Sequence, residues 1–184
     1  MPGALAQGLI WAIMAIGVYL TFRILDVADL TVDGTLGLGG AVCIMCMTSG
    51  MNVWLSLLLA FGAGLLAGLV TGLFHTLMGI PAILAGILTQ FALYSINLRI
   101  MSMKANTPVN PDKYSLFLTL RSVPGAIWKG LLLAAVLIAL LYWYFGTEQG
   151  SAIRATGANP SMSRAQGINI NAMNVLGLSL SNGM

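Results

Sequence analysis

Apolar stretches long enough to cross a lipid bilayer constrain this chain more than any other feature. Four of them cover residues 4–25, 53–77, 80–99 and 125–146. A helix needs about 20 apolar residues to cross the hydrocarbon core of a bilayer. A fifth apolar stretch begins near Asn171 and continues to Met184. The sequence therefore predicts an all-α integral membrane protein, built as a multi-span helical bundle.

The shortage of charge supports the same class. Only 7% of the residues are charged and 58% are hydrophobic, whereas a soluble domain is about 25% charged. So few charges do not cover a water-facing surface, and the bilayer must be the main solvent. The net charge of +3 comes from scattered basic residues, which form no patch for nucleic acid. We therefore expect a lipid bilayer, and no nucleic acid, as a partner.

The first apolar stretch has two possible readings, a signal peptide and a transmembrane helix. A secretory signal peptide begins with a positively charged region, and no Lys or Arg precedes this stretch. The sequence favours a first transmembrane helix over residues 4–25.

The segment "RILDVADLTVDGTLGLGG", residues 23–40, interrupts the apolar pattern. The apolar run that follows, about 36–49, is roughly 21 Å long as a helix, too short for the bilayer core. Four glycines weaken its start, at Gly34, Gly37, Gly39 and Gly40. These features predict a short broken or re-entrant helix. Whether it spans or re-enters is open, and with it the side of the N-terminus.

Two aspartates of this segment, Asp29 and Asp33, need an explanation inside a membrane. A charge at the bilayer centre costs about 2.5–3.5 kcal/mol on insertion scales. We expect these carboxylates to pair with Arg23, to cap a helix N-terminus or to face water.

Small residues form a stripe on the helix at 53–77. Ala60, Gly64, Gly68 and Gly72 recur at every fourth position, which is typical of close helix–helix contact in membranes. The helix at 80–99 instead carries polar residues on one face, at Gln90, Tyr94 and Asn97. Such residues tend to face the bundle interior, either as hydrogen bonds between helices or as part of a solute path.

The translocation path is predicted where the broken segment meets this polar face. Exposed backbone amides at a helix break can hold a solute carboxylate. The predicted path residues are Asp29, Thr31, Asp33, Gly34, Gln90, Tyr94 and Asn97.

Enzyme chemistry has little support in the sequence. Cys43 and Cys46 form a CxxC pair without a metal-binding context, so we interpret them as packing residues. The chain has one histidine and no G-x-S-x-G motif, and no Walker A loop. We expect no cofactor, no metal site and no catalytic residues, with any ATP bound by another chain.

The stretch 147–170 is too polar to cross a membrane and predicts a loop that contains a short helix at about 159–166. Asn159 would be its N-cap, Pro160 its first residue and Gly167 its end.

Two stretches resemble permease subunits of the ribose and branched-chain amino-acid class of ABC importers. The first is "DLTVDGTLGLGGAV", and the second is "SAIRATGANPSMSRAQGIN". The stretches "AGLVTGLFHTLMGIPAILAGILT" and "ALYSINLRIM" are similar to a narrower branch, the permeases of tryptophan/tyrosine-type importers. The resemblance covers roughly residues 8–182.

The resemblance implies that 147–170 is a cytoplasmic coupling loop whose short helix docks on an ATPase. The matching residues are Arg154, Ala155, Gly157, Asn159, Pro160, Arg164, Ala165, Gly167 and Ile168. It also implies a bacterial inner-membrane protein with three protein partners: an ABC ATPase, a second permease copy in a homodimer, and an extracytoplasmic solute-binding protein. Because family members continue through several more spans, residues 1–184 are expected to form one transmembrane permease domain that is incomplete at its C-terminus.

Topology and solute stay open at this point. The loop 100–124 carries Lys104, Lys113 and Arg121, so the positive-inside rule places it in the cytoplasm, whereas the resemblance places 147–170 there. The solute is an aromatic amino acid, a branched-chain amino acid or a sugar. A passive channel or facilitator that needs no ATPase, and a membrane enzyme, are the competing classes.

Overall fold

The computed structural model describes residues 2–104 and 123–184. Over these residues the secondary structure is helical: α1 Pro2–Tyr19, α2 Val32–Thr48, α3 Val53–Thr76, α4 Ala82–Ile100, α5 Val123–Phe145, α6 Glu148–Ala158, α7 Pro160–Ala165 and α8 Ile170–Gly183. The predicted all-α bundle is thereby confirmed. Lys113 and Arg121 of the charge-based topology argument lie outside the described residues.

Within residues 2–104 and 123–184, four helical spans are long and apolar enough to cross a membrane, as the sequence predicted. They are Gly3–Ile24, Val53–Thr76, Ala82–Ile100 and Pro124–Phe145. The first of them combines α1 with a π-helical turn, Leu20–Ile24, in which the Leu25 amide donates to the Leu20 carbonyl at 3.1 Å. The π-turn places one extra residue in the last turn of this span.

The break in the second transmembrane segment lies before the glycines rather than among them. Residues 25–31 are non-helical, and α2 then runs without interruption through all four glycines to Thr48. The prediction that the glycines break the helix was wrong, because a chain among apolar neighbours keeps its backbone hydrogen bonds in the absence of water. The chain turns instead at Asp26, whose φ of 56° is left-handed. The Val27 amide closes this turn by donating to the Thr21 carbonyl at 3.1 Å.

Helix α2 runs antiparallel to α3 and does not turn back. A short connection, residues 49–52, joins the end of α2 to the start of α3. At the other end the Thr31 hydroxyl lies 3.1 Å from the Thr71 hydroxyl, five residues before the end of α3. Because α2 is about 25 Å long, the break and α2 together follow most of the length of α3.

The glycine stripe on α3 packs against α8. A side chain at Gly64 or Gly68 would collide with backbone of α8, at the carbonyls of Asn182 and Leu178, and one at Gly72 would lie 2.9 Å from the Val175 Cα. The predicted role of Gly64, Gly68 and Gly72 in close packing is consistent with this contact, and its partner is the last helix described. The absence of a Cβ lets the two backbones approach, which strengthens dispersion contacts where water supplies no driving force.

A second contact region joins the end of the first span to α6 and α8. Five buried side chains form it: Leu20, Leu25, Val27, Ile153 and Leu178. Helix α5 packs along α1, and its apolar part, Pro124–Phe145, is long enough to cross a membrane once.

The α3–α8 contact predicts a difference between two glycines of one helix. Gly68→Ala should lower the free energy of unfolding by about 1–3 kcal/mol, because the new methyl group overpacks the contact with Leu178 and Ser179. Gly62 has no atom of another residue within 4 Å of its added Cβ. Gly62→Ala should leave stability unchanged or raise it, through helix propensity, by up to about 1 kcal/mol. Thermal unfolding of both variants in detergent checks this, and equal shifts would contradict the packing role of the stripe.

Candidate functional site

The non-helical segment 25–31 enters the bundle interior at Asp29. One carboxylate oxygen of Asp29 accepts from the Thr31 amide at 2.8 Å, and the other accepts from the Asn182 side-chain amide at 2.5 Å. Asp29 therefore forms a local turn bond just before α2 and does not cap the helix, whose N-cap is Thr31 without a side-chain cap hydrogen bond. Helix α8 supplies the second donor. The side chain of Arg23, the alternative partner, is exposed.

Asn182 links three parts of the bundle. Its side-chain amide nitrogen also donates to the Leu178 carbonyl at 3.0 Å, and its amide oxygen accepts from the Thr35 hydroxyl at 3.0 Å. Beside it, the Thr31 and Thr71 hydroxyls share a hydrogen bond. The resulting network joins segment 25–31, α2, α3 and α8. Polar groups that lose water must find partners of this kind, because an unpaired one costs several kcal/mol in an apolar medium, roughly 4–8 on a hydrocarbon scale.

Helix α4 covers the other side of the segment. A side chain at Gly86 would lie 2.9 Å from the Leu30 amide nitrogen, and one at Gly34 would lie 3.2 Å from the Gln90 Cα. Further along, the Asn97 side-chain amide donates to the Gly34 carbonyl at 3.3 Å. The structure thus brings the predicted path residues of α4, Gln90 and Asn97, against α2.

Two predicted path residues lie away from this contact. Asp33 is exposed on the first turn of α2, and Tyr94 is 66% exposed on α4. The spacing of Gln90, Tyr94 and Asn97 spreads them over an arc of the helix, and only part of that arc faces α2. In α2, Cys43 contacts the thioether of Met47 at 3.8 Å, a packing contact between two weakly polar side chains.

Sequence reasoning missed the residues that complete the network, Thr35, Thr71 and Asn182. Each is a polar residue inside an apolar helix, which is itself a signal of an interior position. Thr71 also lies three residues after Gly68, on the same face as the glycine stripe.

The predicted coupling segment, residues 147–170, contains one helix more than the sequence analysis expected. Residues 148–158 form α6, where we expected a loop. The sequence is polar overall, but Gly150, Ile153 and Thr156 form one buried face. Thr147 caps the helix by accepting from the Gly150 amide at 3.4 Å. Helix α6 forms because tertiary contacts bury this narrow face, and the polar composition of the segment as a whole does not indicate it.

Helix α7 confirms the predicted short helix. Asn159 is its N-cap, accepting from the Met162 amide at 3.1 Å, and Pro160 is its first residue. Gly167 ends it with a left-handed φ of 84°. The Ile168 amide donates to the Ser163 carbonyl at 3.0 Å, which completes the Schellman arrangement that terminates many helices.

The two arginines of the coupling segment have different surroundings. Arg154 donates from Nη2 to the Phe145 carbonyl at 2.7 Å, so it caps the C-terminal end of α5. Arg164 lies in the last turn of α7 and is exposed, next to the exposed Ala165. Ala155 is half-buried on α6. Five of the six residues of α7 are exposed, among them Met162 at 59%, whereas α6 exposes five of its eleven residues.

A family model described as the permease component of the branched-chain amino acid transport system matches residues 1–183. No solved structure matches the chain.

Curated relatives carry names of the same kind. A tyrosine transport system permease protein of Clostridioides difficile is 38% identical over 98% of this chain and 59% of its own length. A ribose import permease protein of Escherichia coli is 28% identical over 96% of this chain and 55% of its own length. A fructose import permease protein of Bifidobacterium longum is 27% identical over 76% of this chain and 40% of its own length. The chain thus spans a little over half the length of the first two relatives.

The bond between Asp29 and Asn182 predicts a coupling of their stability effects. Asp29→Ala and Asn182→Ala should each lower the free energy of unfolding. The loss in the double variant should be smaller than the sum of the two single losses by about 1.5–3 kcal/mol, the usual strength of a hydrogen bond to a charged group. SDS-induced unfolding in mixed micelles measures these free energies. The control pair is Asp33→Ala with Asn182→Ala, whose effects should add because Asp33 is exposed. An additive Asp29 pair would contradict the assigned network.

Proposed function

Because this chain belongs to the family of branched-chain amino acid transport permease components, we propose that it forms the translocation path of an ATP-driven importer for a small organic solute. An aromatic amino acid is the first candidate solute. The observation that supports the proposal most is the break at residues 25–31, which brings a carboxylate and backbone polar groups into the interior of an apolar bundle.

The break suits a path because it combines irregular backbone with polar side chains. Helical spans satisfy all of their backbone groups internally, whereas irregular backbone at membrane depth must be shielded by protein or line a cavity. Asp29, Thr31 and Gly34 lie on one side of this region, and Gln90 and Asn97 lie on the other. A small relative movement of α2 and α4 would separate the two helices at this contact.

The names of the relatives and the Asp29 carboxylate both bear on the class of solute. The relative with the higher identity is named for tyrosine, and those with lower identity are named for ribose and fructose. The two hydrogen bonds to Asp29 leave further acceptor sites on its carboxylate. An amino acid carries an ammonium group that pairs with a carboxylate, and a sugar does not. These two considerations favour an amino acid over a sugar.

Coupling to a separate ATPase is assigned to the coupling segment. The chain has no Walker A motif, so ATP hydrolysis belongs to a partner chain. Helix α7 has defined caps at both ends and presents an exposed arginine, features that suit a rigid docking surface. This assignment places residues 147–170 in the cytoplasm and the first residues of α5, at the other end of that span, on the outer side.

Two further partners belong to the proposal. A second permease copy would complete a dimeric path, and an extracytoplasmic binding protein would deliver the solute from outside the bacterial inner membrane. Selectivity would then be shared between the binding protein and the Asp29 region.

Uptake by the complete transporter tests the function. The full-length permease is reconstituted in liposomes with its ATPase and binding protein, and labelled tyrosine, leucine and ribose are offered with and without ATP. We expect ATP-dependent uptake of tyrosine above the other two. Preference for ribose or leucine would redirect the solute assignment, and uptake at equal rates without ATP would identify a passive facilitator.

Charge reversal on α7 tests the docking surface. Arg164→Glu should reduce ATPase binding and ATP-driven uptake about 10-fold. The variant loses an ion pair with the ATPase and gains a repulsion, and a combined cost of about 1.4 kcal/mol corresponds to that factor. Arg99→Glu is the matched control, since Arg99 is exposed at the end of α4, on the opposite side of the bundle. Co-purification of the ATPase with each variant gives the readout. Unchanged binding by Arg164→Glu, or equal loss in both variants, would count against docking through α7.

A further inference from the structure

Gly157 of the coupling segment lies directly on the residues that lead into the break. A Cβ at this position would collide with the Ile24 carbonyl oxygen and lie 3.0 Å from the Leu25 carbonyl carbon. The backbone of α6 therefore contacts the last residue of the π-turn and the first residue of segment 25–31. A larger side chain at position 157 would force α6 away from this contact.

Neighbouring side chains hold α6 and segment 25–31 together. Ile153, four residues before Gly157, is fully buried in the apolar cluster that contains Leu25 and Val27. The Leu25 side chain in turn fills the space beside Gly177 of α8. Buried apolar packing of this density transmits displacement because it has little room to deform.

The other end of the segment is held by different helices. Asp29 bonds to Asn182 of α8, and the Leu30 backbone packs against Gly86 of α4. The segment is only seven residues long, so its two ends do not move independently over large distances. Leu25 and Asp29 are four positions apart, and α2 begins three residues after Asp29, so movement of α6 at Leu25 has a short path along the chain to Asp29.

We propose that Gly157 and Ile153 are positioning residues that pass movement of the coupling segment to the Asp29 segment. The proposal rests on the proposed function and deepens it, since it names the contact through which an ATPase docked on α7 acts on the path. No contact between the ATPase and segment 25–31 is then needed.

The test compares two glycines of the same helix. Gly150 has as little room as Gly157, but its crowded neighbours are Tyr144 and Phe145 at the end of α5. Gly157→Ala should separate the coupling segment from the break, whereas Gly150→Ala disturbs α6 without touching residues 24–25. A loss caused only by a distorted α6 would appear in both variants.

The readout is a spin label at Leu30→Cys, in the complete transporter with Cys43→Ser and Cys46→Ser. Leu30 is 47% exposed, so the label is tolerated there. ATP binding should change the mobility of the label and its collision rate with a water-soluble relaxant. Gly157→Ala should lose this change and lose uptake, while still binding the ATPase. Gly150→Ala should keep the change.

Three outcomes would overturn the proposal: a nucleotide response retained in Gly157→Ala, equal losses in both glycine variants, or a label at residue 30 that ignores ATP in a transporter that imports solute. The last leaves the proposed function standing, whereas failure of the wild-type chain to bind an ATPase removes both.

If Gly157→Ala does not assemble, Ile153→Val decides, because it removes one buried methylene from the same contact. It should weaken the nucleotide response, and a full response in that variant would contradict the proposal.

Discussion

The need to satisfy polar groups without water is the constraint on which the rest of this structure depends. Residues 25–31 leave the helical conformation inside a bundle of apolar helices, where every exposed amide and carboxylate requires a protein partner. The hydrogen bonds that Asp29 accepts from Thr31 and Asn182 meet that requirement for its carboxylate. Asn182 lies where the glycine stripe of α3 meets α8, since a Cβ at Gly64 would collide with its backbone carbonyl.

Two kinds of contact converge on the same short segment. At its start Leu25 belongs to one apolar cluster with Ile153, and Gly157 lies against the backbone of Ile24 and Leu25. At its end Asp29 accepts a hydrogen bond from Asn182 of α8, and the Leu30 backbone packs against Gly86 of α4. The proposed coupling uses this arrangement, in which both ends of the segment are held by other helices. The family membership of the chain and the geometry of the break therefore support one functional reading.

Individual residues show how far sequence reasoning reaches. The short helix after Asn159 was predicted with its cap, its first proline and its final glycine, because these signals are local and act within one turn. Helix α6 was missed, because its stability depends on burying Ile153 against a distant span. The glycines of α2 were interpreted as a break, because helix propensity measured in water overstates their effect where unpaired backbone is costly.

The sequence by itself determined the class of protein, the four long apolar spans found among the described residues and the position of the short capped helix. Those properties follow from apolar length and from turn residues that act over a few positions. Only the tertiary structure decided that α8 is the partner of the glycine stripe, that Asn182 bonds to Asp29 across 153 positions, and that Gly157 rests on Ile24. Such pairings depend on which faces meet when several apolar helices pack together, and similar apolar helices leave that choice open until side-chain shape and hydrogen bonding select one arrangement.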